Sequence, residues 1–165
     1  MRHHSLTLAT ALIATLTATG CAKPDSAQPA DINWEKVAGR DLNCPDDKVH
    51  LVAPPDKYDI DGDGENEYFV TIQCNSTKHP NPEPGQLEIY RAGATPDQPA
   101  WLATIVRDRQ NLQLTGCVSF VRGQAYTRAS NGTIWASSRW TPGKLPTGFL
   151  SASQGQITGC PVPAA

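Results

Sequence analysis

Residues 59–74 read DIDGDGENEYFVTIQC. Their second half, EYFVTIQC at 67–74, is β-branched and aromatic with neither Gly nor Pro, and it predicts a strand. Their first half sets a carboxylate at alternate positions with glycines between, a tight acidic turn that feeds that strand. Upstream, residues 48–53 (KVHLVA) alternate and read as a second strand. If the two pair antiparallel, the end of one lies beside the start of the other, and Cys44 comes within bridging range of Cys74.

Downstream the pattern continues. Residues 86–91 (QLEIYR) alternate cleanly, and residues 101–106 (WLATIV) read as a buried strand. Four short strands follow at 112–115, 118–121, 125–129 and 133–138, parted by Arg122-Gly123 and Ser130-Asn131-Gly132. Asn-Gly between alternating runs predicts a hairpin whose two central residues both take positive φ. Residues 78–85 (KHPNPEPG) form a proline-rich loop and 92–99 a second turn-rich one. Residues 31–38 (DINWEKVA) allow one short helix with Asp31 as N-cap and Gly39 as stop, or an irregular segment with Trp34 packed as a lid. Residues after Phe149 look loose apart from Cys160. The expected fold is mainly β: a compact antiparallel sheet or meander domain of about eight short strands, with at most one short N-terminal helix and two disulfides.

The whole chain of 165 residues, 39% hydrophobic, suits one domain and is small for two. A net charge of -2 leaves no basic surplus for nucleic acid. One Met and 7% aromatic residues do not suggest a large ligand cavity. At the N-terminus, Arg2, His3 and His4 precede an uncharged stretch at 6–19 that has signal-peptide length and is short for a membrane span. No later stretch is apolar enough to cross a bilayer. The segment ends Thr17-Ala18-Thr19-Gly20-Cys21, which resembles the lipobox of bacterial lipoproteins, with Ala18 where Leu is commoner. The resemblance implies a signal peptide at 1–20, a diacylglycerol on Cys21 and a protein anchored by lipid (diacylglycerol and palmitate) on the extracytoplasmic face of the cell membrane. The membrane is then its first partner. The alternative is an ordinary secretory signal with Cys21 incidental. Residues 22–31 (AKPDSAQPAD) read with Cys21 as a flexible tether, and 32–165 as a single β-rich extracytoplasmic domain.

Setting Cys21 aside leaves Cys44, Cys74, Cys117 and Cys160, an even number that in an exported domain reads as two disulfides. Four cysteines allow three connectivities. The strand pairing favours Cys44–Cys74, which leaves Cys117–Cys160 to pin the C-terminal tail to the sheet. No CxxC pair is present and the mature chain holds only His50 and His79, so a zinc or thioredoxin-like site is not expected.

The acidic loop is the one motif that could carry chemistry. Asp59, Asp61, Asp63 and Glu67 stand at loop positions 1, 3, 5 and 9, with Gly64 at position 6, where a sharp turn needs positive φ. Calcium takes oxygen ligands, and the backbone carbonyl of Glu65 could add one. Position 12 is Val70, inside a strand, so the loop is not an EF-hand. It resembles instead the DxDxDGxxD/E loops of FG-GAP and VCBS repeats, where a strand leads out of the calcium site. That resemblance implies Ca²⁺ on the side chains of Asp59, Asp61, Asp63 and Glu67. One copy implies no propeller. The competing reading is a plain acidic turn without metal, and any bound ion would be structural. More widely, a lipobox, then Asn33-Trp34, then YDIDGDGENEYFV, a later Cys and PGQLEIY resemble a group of small, uncharacterised actinobacterial lipoproteins, which brings no activity with it.

No catalytic residue stands out. GxSxG, P-loop and HExxH sequences are absent. His50 reads as a packed or edge residue and His79 as solvated. Asp46 and Asp47 are too close in sequence to flank a glycosidic bond. Arg107 and Arg109 read as a solvated edge around Asp108. Trp34, Trp101, Trp135 and Trp140 are expected in the core, an exposed Trp135/Trp140 pair being the exception that would mark a binding patch. The chain therefore reads as a non-enzymatic binding or scaffolding lipoprotein, with a protein or glycan partner at the cell envelope. The alternatives are a small extracytoplasmic hydrolase and an inhibitor that blocks a partner through the 78–85 or 92–99 loops.

Overall fold

A computed structural model describes residues 31–42, 44, 48–75, 85–93, 95–107 and 114–154. The signal segment, Cys21, the tether up to residue 30, Asp46, Asp47, His79, most of the 78–85 loop, Asp108, Arg109 and Cys160 lie outside the described residues.

The described chain is mainly β, with one short helix. In order it comprises α1 (Trp34–Ala38), a 3₁₀ turn (Gly39–Asp41), β1 (Val49–Leu51), β2 (Asp56–Tyr58), β3 (Glu67–Cys74), β4 (Gly85–Arg91), β5 (Ala100–Arg107), β6 (Leu114–Val121), β7 (Gln124–Ala129), β8 (Ile134–Ser137), β9 (Gly148–Phe149) and β10 (Ala152–Gln154). The first sheet has the order β1-β3-β4-β5-β9, with β2 also on β3, and the second has the order β10-β8-β7-β6. Pairing is antiparallel except between β5 and β9, where Ala103 faces Gly148 in parallel register.

Strand β3 is an inner strand of the first sheet, between β1 and β2 on one side and β4 on the other, and is buried along its whole length. Its even-numbered residues Tyr68, Val70 and Ile72 face α1, together with Trp34, Val37 and Tyr90. Phe69 faces the second sheet, in a core with Leu87, Ile89, Ala103, Ile105, Val118 and Ala125. Alternation along one strand thus feeds two separate cores. The 48–53 run pairs antiparallel with β3 as expected, Val49 opposite Cys74, and the Cys44–Cys74 disulfide follows, with Cα atoms 5.4 Å apart. The run is shorter than expected because Pro54-Pro55 interrupts the edge. Pairing with β3 resumes at β2, Asp56 opposite Phe69.

Several expectations need correction. One disulfide is seen whole, not two: Cys117 is disulfide-bonded, but its partner lies outside the described residues. The helix is capped by Asn33 rather than Asp31, the Asn33 side-chain Oδ1 accepting from the Lys36 N–H at 2.9 Å. Residues 112–115 and 118–121 are not two strands. The described part is one strand, β6, bulged between Leu114 and Val118. Gly116 sits in that bulge with φ +73, and a Cβ there would lie 2.5 Å from the Cβ of Ala53, so the interrupted edge strand packs directly on the bulge. The hairpin at Asn131-Gly132 is of another kind than expected. Gly132 alone has positive φ, with its N–H bonded to Ala129 O at 3.0 Å, a three-residue loop. The turn with two positive-φ residues is Arg122-Gly123, at φ 51 and 76. The tail is not wholly loose, since β10 pairs with β8.

The two sheets are also pinned by polar bonds. On β2, the Asp56 carboxylate accepts the Val118 N–H at 3.1 Å, and the Tyr58 hydroxyl donates to the Val118 carbonyl at 2.9 Å. Val118 follows the bulge on β6, the edge strand of the second sheet, in register with Thr127, and two side chains from the opposite sheet satisfy the backbone groups it turns away from β7.

Candidate functional site

The acidic loop spans the turn between β2 and β3. Ile60 anchors it, buried in the intersheet core while its N–H donates to Glu67 Oε2 at 3.0 Å. Around that anchor the loop folds on its own carboxylates. Asp59 accepts from the N–H groups of Gly62 at 2.7 Å and Gly64 at 3.0 Å. Asp61 accepts from Asp63 N–H at 3.3 Å, and Asp63 from Glu65 N–H at 2.8 Å. Gly62 and Gly64 have φ +78 and +87 with open space around them, so the backbone alone requires glycine at both. The positive φ expected at Gly64 is present.

This geometry brings one carboxylate oxygen from each of Asp59, Asp61 and Glu67 within 4.8 Å of one another, a cluster that could hold a metal ion. Hard oxygen donors at that spacing suit a cation such as Ca²⁺. Asp63 and Glu65 are not part of that cluster. A residue not weighed from the sequence enters instead. Arg91, at the end of β4, reaches across the strand pair to Glu67, its partner in register. Its guanidinium donates to Glu67 Oε1 at 3.2 Å, Asp61 Oδ2 at 2.8 Å and Asp63 Oδ2 at 3.0 Å. The fork geometry of guanidinium lets one side chain serve three carboxylates. The sequence signal was the pairing register, which puts the last residue of QLEIYR beside the first of EYFVTIQC.

Glu67 is 0% exposed. Burial pushes its carboxyl above the usual range, and it outweighs the lowering by the Ile60 N–H and Arg91. Burial would lower Arg91, but its bond to Glu67 and the charges of Glu67, Asp63 and Asp61 hold it above its ordinary value. The loop therefore contains a fixed internal cation that neutralises part of its charge, and an added metal would share these carboxylates with it.

The tryptophans do not behave alike. Trp34 is buried against Tyr68 and Tyr90, with ring centroids 5.4 and 5.5 Å away. Trp135 and Trp140 pack on the intersheet core, Trp140 stacked on Phe120 at 5.2 Å, so the pair expected as the exception is not an exposed patch. Trp101, expected in a buried strand, is 47% exposed, and Phe149 on β9 is 61% exposed. Together with Thr104 and Arg107 they line a cleft of about 380 Å³. His50 is half-buried on the edge strand β1, its Nδ1 buried without a hydrogen-bond partner among the described residues. Arg107 is exposed, as expected, and its Nε donates to Gln86 Oε1 at 2.9 Å.

No protein-family model, no curated protein and no solved structure matches this chain. Among the described residues no helix is long and apolar enough to cross a membrane.

Proposed function

We infer that the chain is a lipid-anchored extracytoplasmic lipoprotein whose β domain binds or scaffolds a partner, protein or glycan, at the cell envelope, and that it is not an enzyme. The observation that carries this reading is the uncharged stretch at 6–19 ending in Thr17-Ala18-Thr19-Gly20-Cys21. Its kinship is with the small actinobacterial lipoproteins it resembles, and its acidic loop is of FG-GAP/VCBS type. The Cys44–Cys74 bridge favours an oxidising compartment, and we extend the pattern to a second bridge, Cys117–Cys160. The test is the intact mass of the chain purified from bacterial membranes. A diacylglyceryl group on an N-terminal Cys21, lost in Cys21→Ser, is expected. An unlipidated chain cut elsewhere overturns the anchor.

The 59–67 loop, in this reading, holds one structural Ca²⁺ on Asp59, Asp61 and Glu67, with Asp63 and the Glu65 carbonyl completing the shell. The clustering of three carboxylates within 4.8 Å supports it. Because Arg91 draws on the same carboxylates, Arg91→Ala should bind calcium more tightly than the native chain while melting at a lower temperature in chelator. Calorimetric titration of both, beside an Asp61→Ala/Asp63→Ala control, reads this directly. No saturable heat in the native chain or in Arg91→Ala, with melting temperatures equal in calcium and chelator, reduces the loop to an arginine-braced turn.

A further inference from the structure

Strand β5 does not obey the period of two. Its pairing with β4 shifts twice, between Leu87 and Glu88 and between Ile89 and Tyr90, so that Gln86, Glu88 and Tyr90 stand opposite Arg107, Thr104 and Trp101. Each shift inserts one extra residue into β5, Ile105 in one and Leu102 in the other. The bulges therefore turn Trp101, Thr104 and Arg107, at a spacing of three, onto the face away from the second sheet. Leu102, Ala103, Ile105 and Val106 all stay with the intersheet core. Bulges re-aim side chains at a cost to ladder bonding. Here they gather an indole, a hydroxyl and a guanidinium along one line, and Phe149, paired with Thr104 across the β5–β9 contact, adds a second ring.

We propose that this cleft is a binding site for an acidic oligosaccharide, a uronic-acid-containing glycan whose ring faces lie on Trp101 and Phe149 and whose carboxylate pairs with Arg107. Four features select that class. The volume of about 380 Å³ is of small-ligand size. The line from Tyr90 to Gln86 spans four residues, roughly 14 Å of strand, which suits a short chain of rings rather than a single one. Two exposed aromatic faces offer stacking surface without an enclosed apolar pocket. The cation is held ready: Gln86, fully buried, accepts from the Arg107 Nε, and the terminal guanidinium nitrogens make no other bond among the described residues. A peptide adding to the sheet fits less well, because β9 already pairs with the middle of the β5 edge at Ala103 and Thr104.

The proposal rests on the reading of the chain as a binding domain and gives its glycan partner a chemical class. The full chain in detergent is titrated, by calorimetry, with a tetrasaccharide alternating glucuronate and N-acetylglucosamine, with a neutral N-acetylglucosamine tetramer and with a tetraglutamate peptide. Saturable binding of the acidic saccharide is expected, about tenfold or more above the neutral one, with a comparable loss in Trp101→Ala and in Arg107→Gln. Both residues are exposed, so both variants should keep the native circular dichroism. Phe149→Ala is the third variant should either fail to fold. No saturable binding, equal affinity for the neutral sugar, binding unchanged by the substitutions or preference for the peptide overturns the assignment. If the titration fails while Cys21 is found lipidated, the cleft alone falls and the anchored lipoprotein stands.

Discussion

Asp56 and Tyr58 stand two residues apart on β2 and hold the backbone N–H and C=O of Val118. Partial burial pushes the Asp56 carboxyl above its ordinary value, with the Val118 N–H pulling the other way. Tyr58 is raised by burial and then by the charge of Asp56, so its hydroxyl keeps the proton it donates. A carboxyl raised in the folded state contributes stability that is complete below its unfolded value near 3.8. That contribution is lost as pH rises through the folded value. Asp56→Asn keeps an acceptor for the Val118 N–H and removes the charge. The variant's melting temperature, relative to the native chain, should therefore be higher at pH 7 than at pH 3. Melting curves at the two values check the sign, and a gap that widens toward acid would show Asp56 to be stabilised as the anion.

At the scale of elements, the β6–β7 hairpin closes on Arg122-Gly123, and Arg122 is the only non-glycine with positive φ among the described residues. Asn accepts that conformation more readily than Arg, so Arg122→Asn should stabilise the fold by about 0.5–1 kcal/mol. A denaturant midpoint moved upward with unchanged slope is the expected reading. This turn also marks the limit of sequence reading. Dipeptide preference pointed to Asn131-Gly132, yet only Gly132 there is left-handed, because a turn type follows the register of the strands it joins. Strands β3, β4 and β7 were legible to within a residue, since alternation or an apolar run bounded by breakers defines them. Strand β2 was not, at three residues after two prolines. The gathering of Asp59, Asp61 and Glu67 was legible in the loop, but Arg91 was not, being 24 residues from Glu67 and brought there by pairing alone. In WLATIV the apolar pairs 102–103 and 105–106, set between Trp101, Thr104 and Arg107, repeat at three. That pattern belongs to a doubly bulged strand, and reading it as uniformly buried misplaced Trp101.

Over the whole molecule, α1 covers the β1–β3 part of one face of the first sheet and the second sheet covers the other face, and the β1 edge is secured twice. The Glu35 carboxylate accepts the Leu51 N–H at 3.0 Å, and Cys44–Cys74 closes a loop with a sequence separation of 30. Removing that bridge with Cys44→Ser/Cys74→Ser should lower stability by about 2–4 kcal/mol, read as a fall in the urea midpoint against the oxidised chain. An unchanged urea midpoint in the double variant would contradict it. The hold on Val118 has a consequence in time. Its two partners lie 62 and 60 residues away along the chain, with β3, β4 and β5 all in between, so each bond closes a long loop. Such distant contacts close late and open only when the sheets part. The Val118 amide should accordingly be among the slowest to trade its hydrogen for deuterium, and its rate would clock the separation of the two halves of the protein.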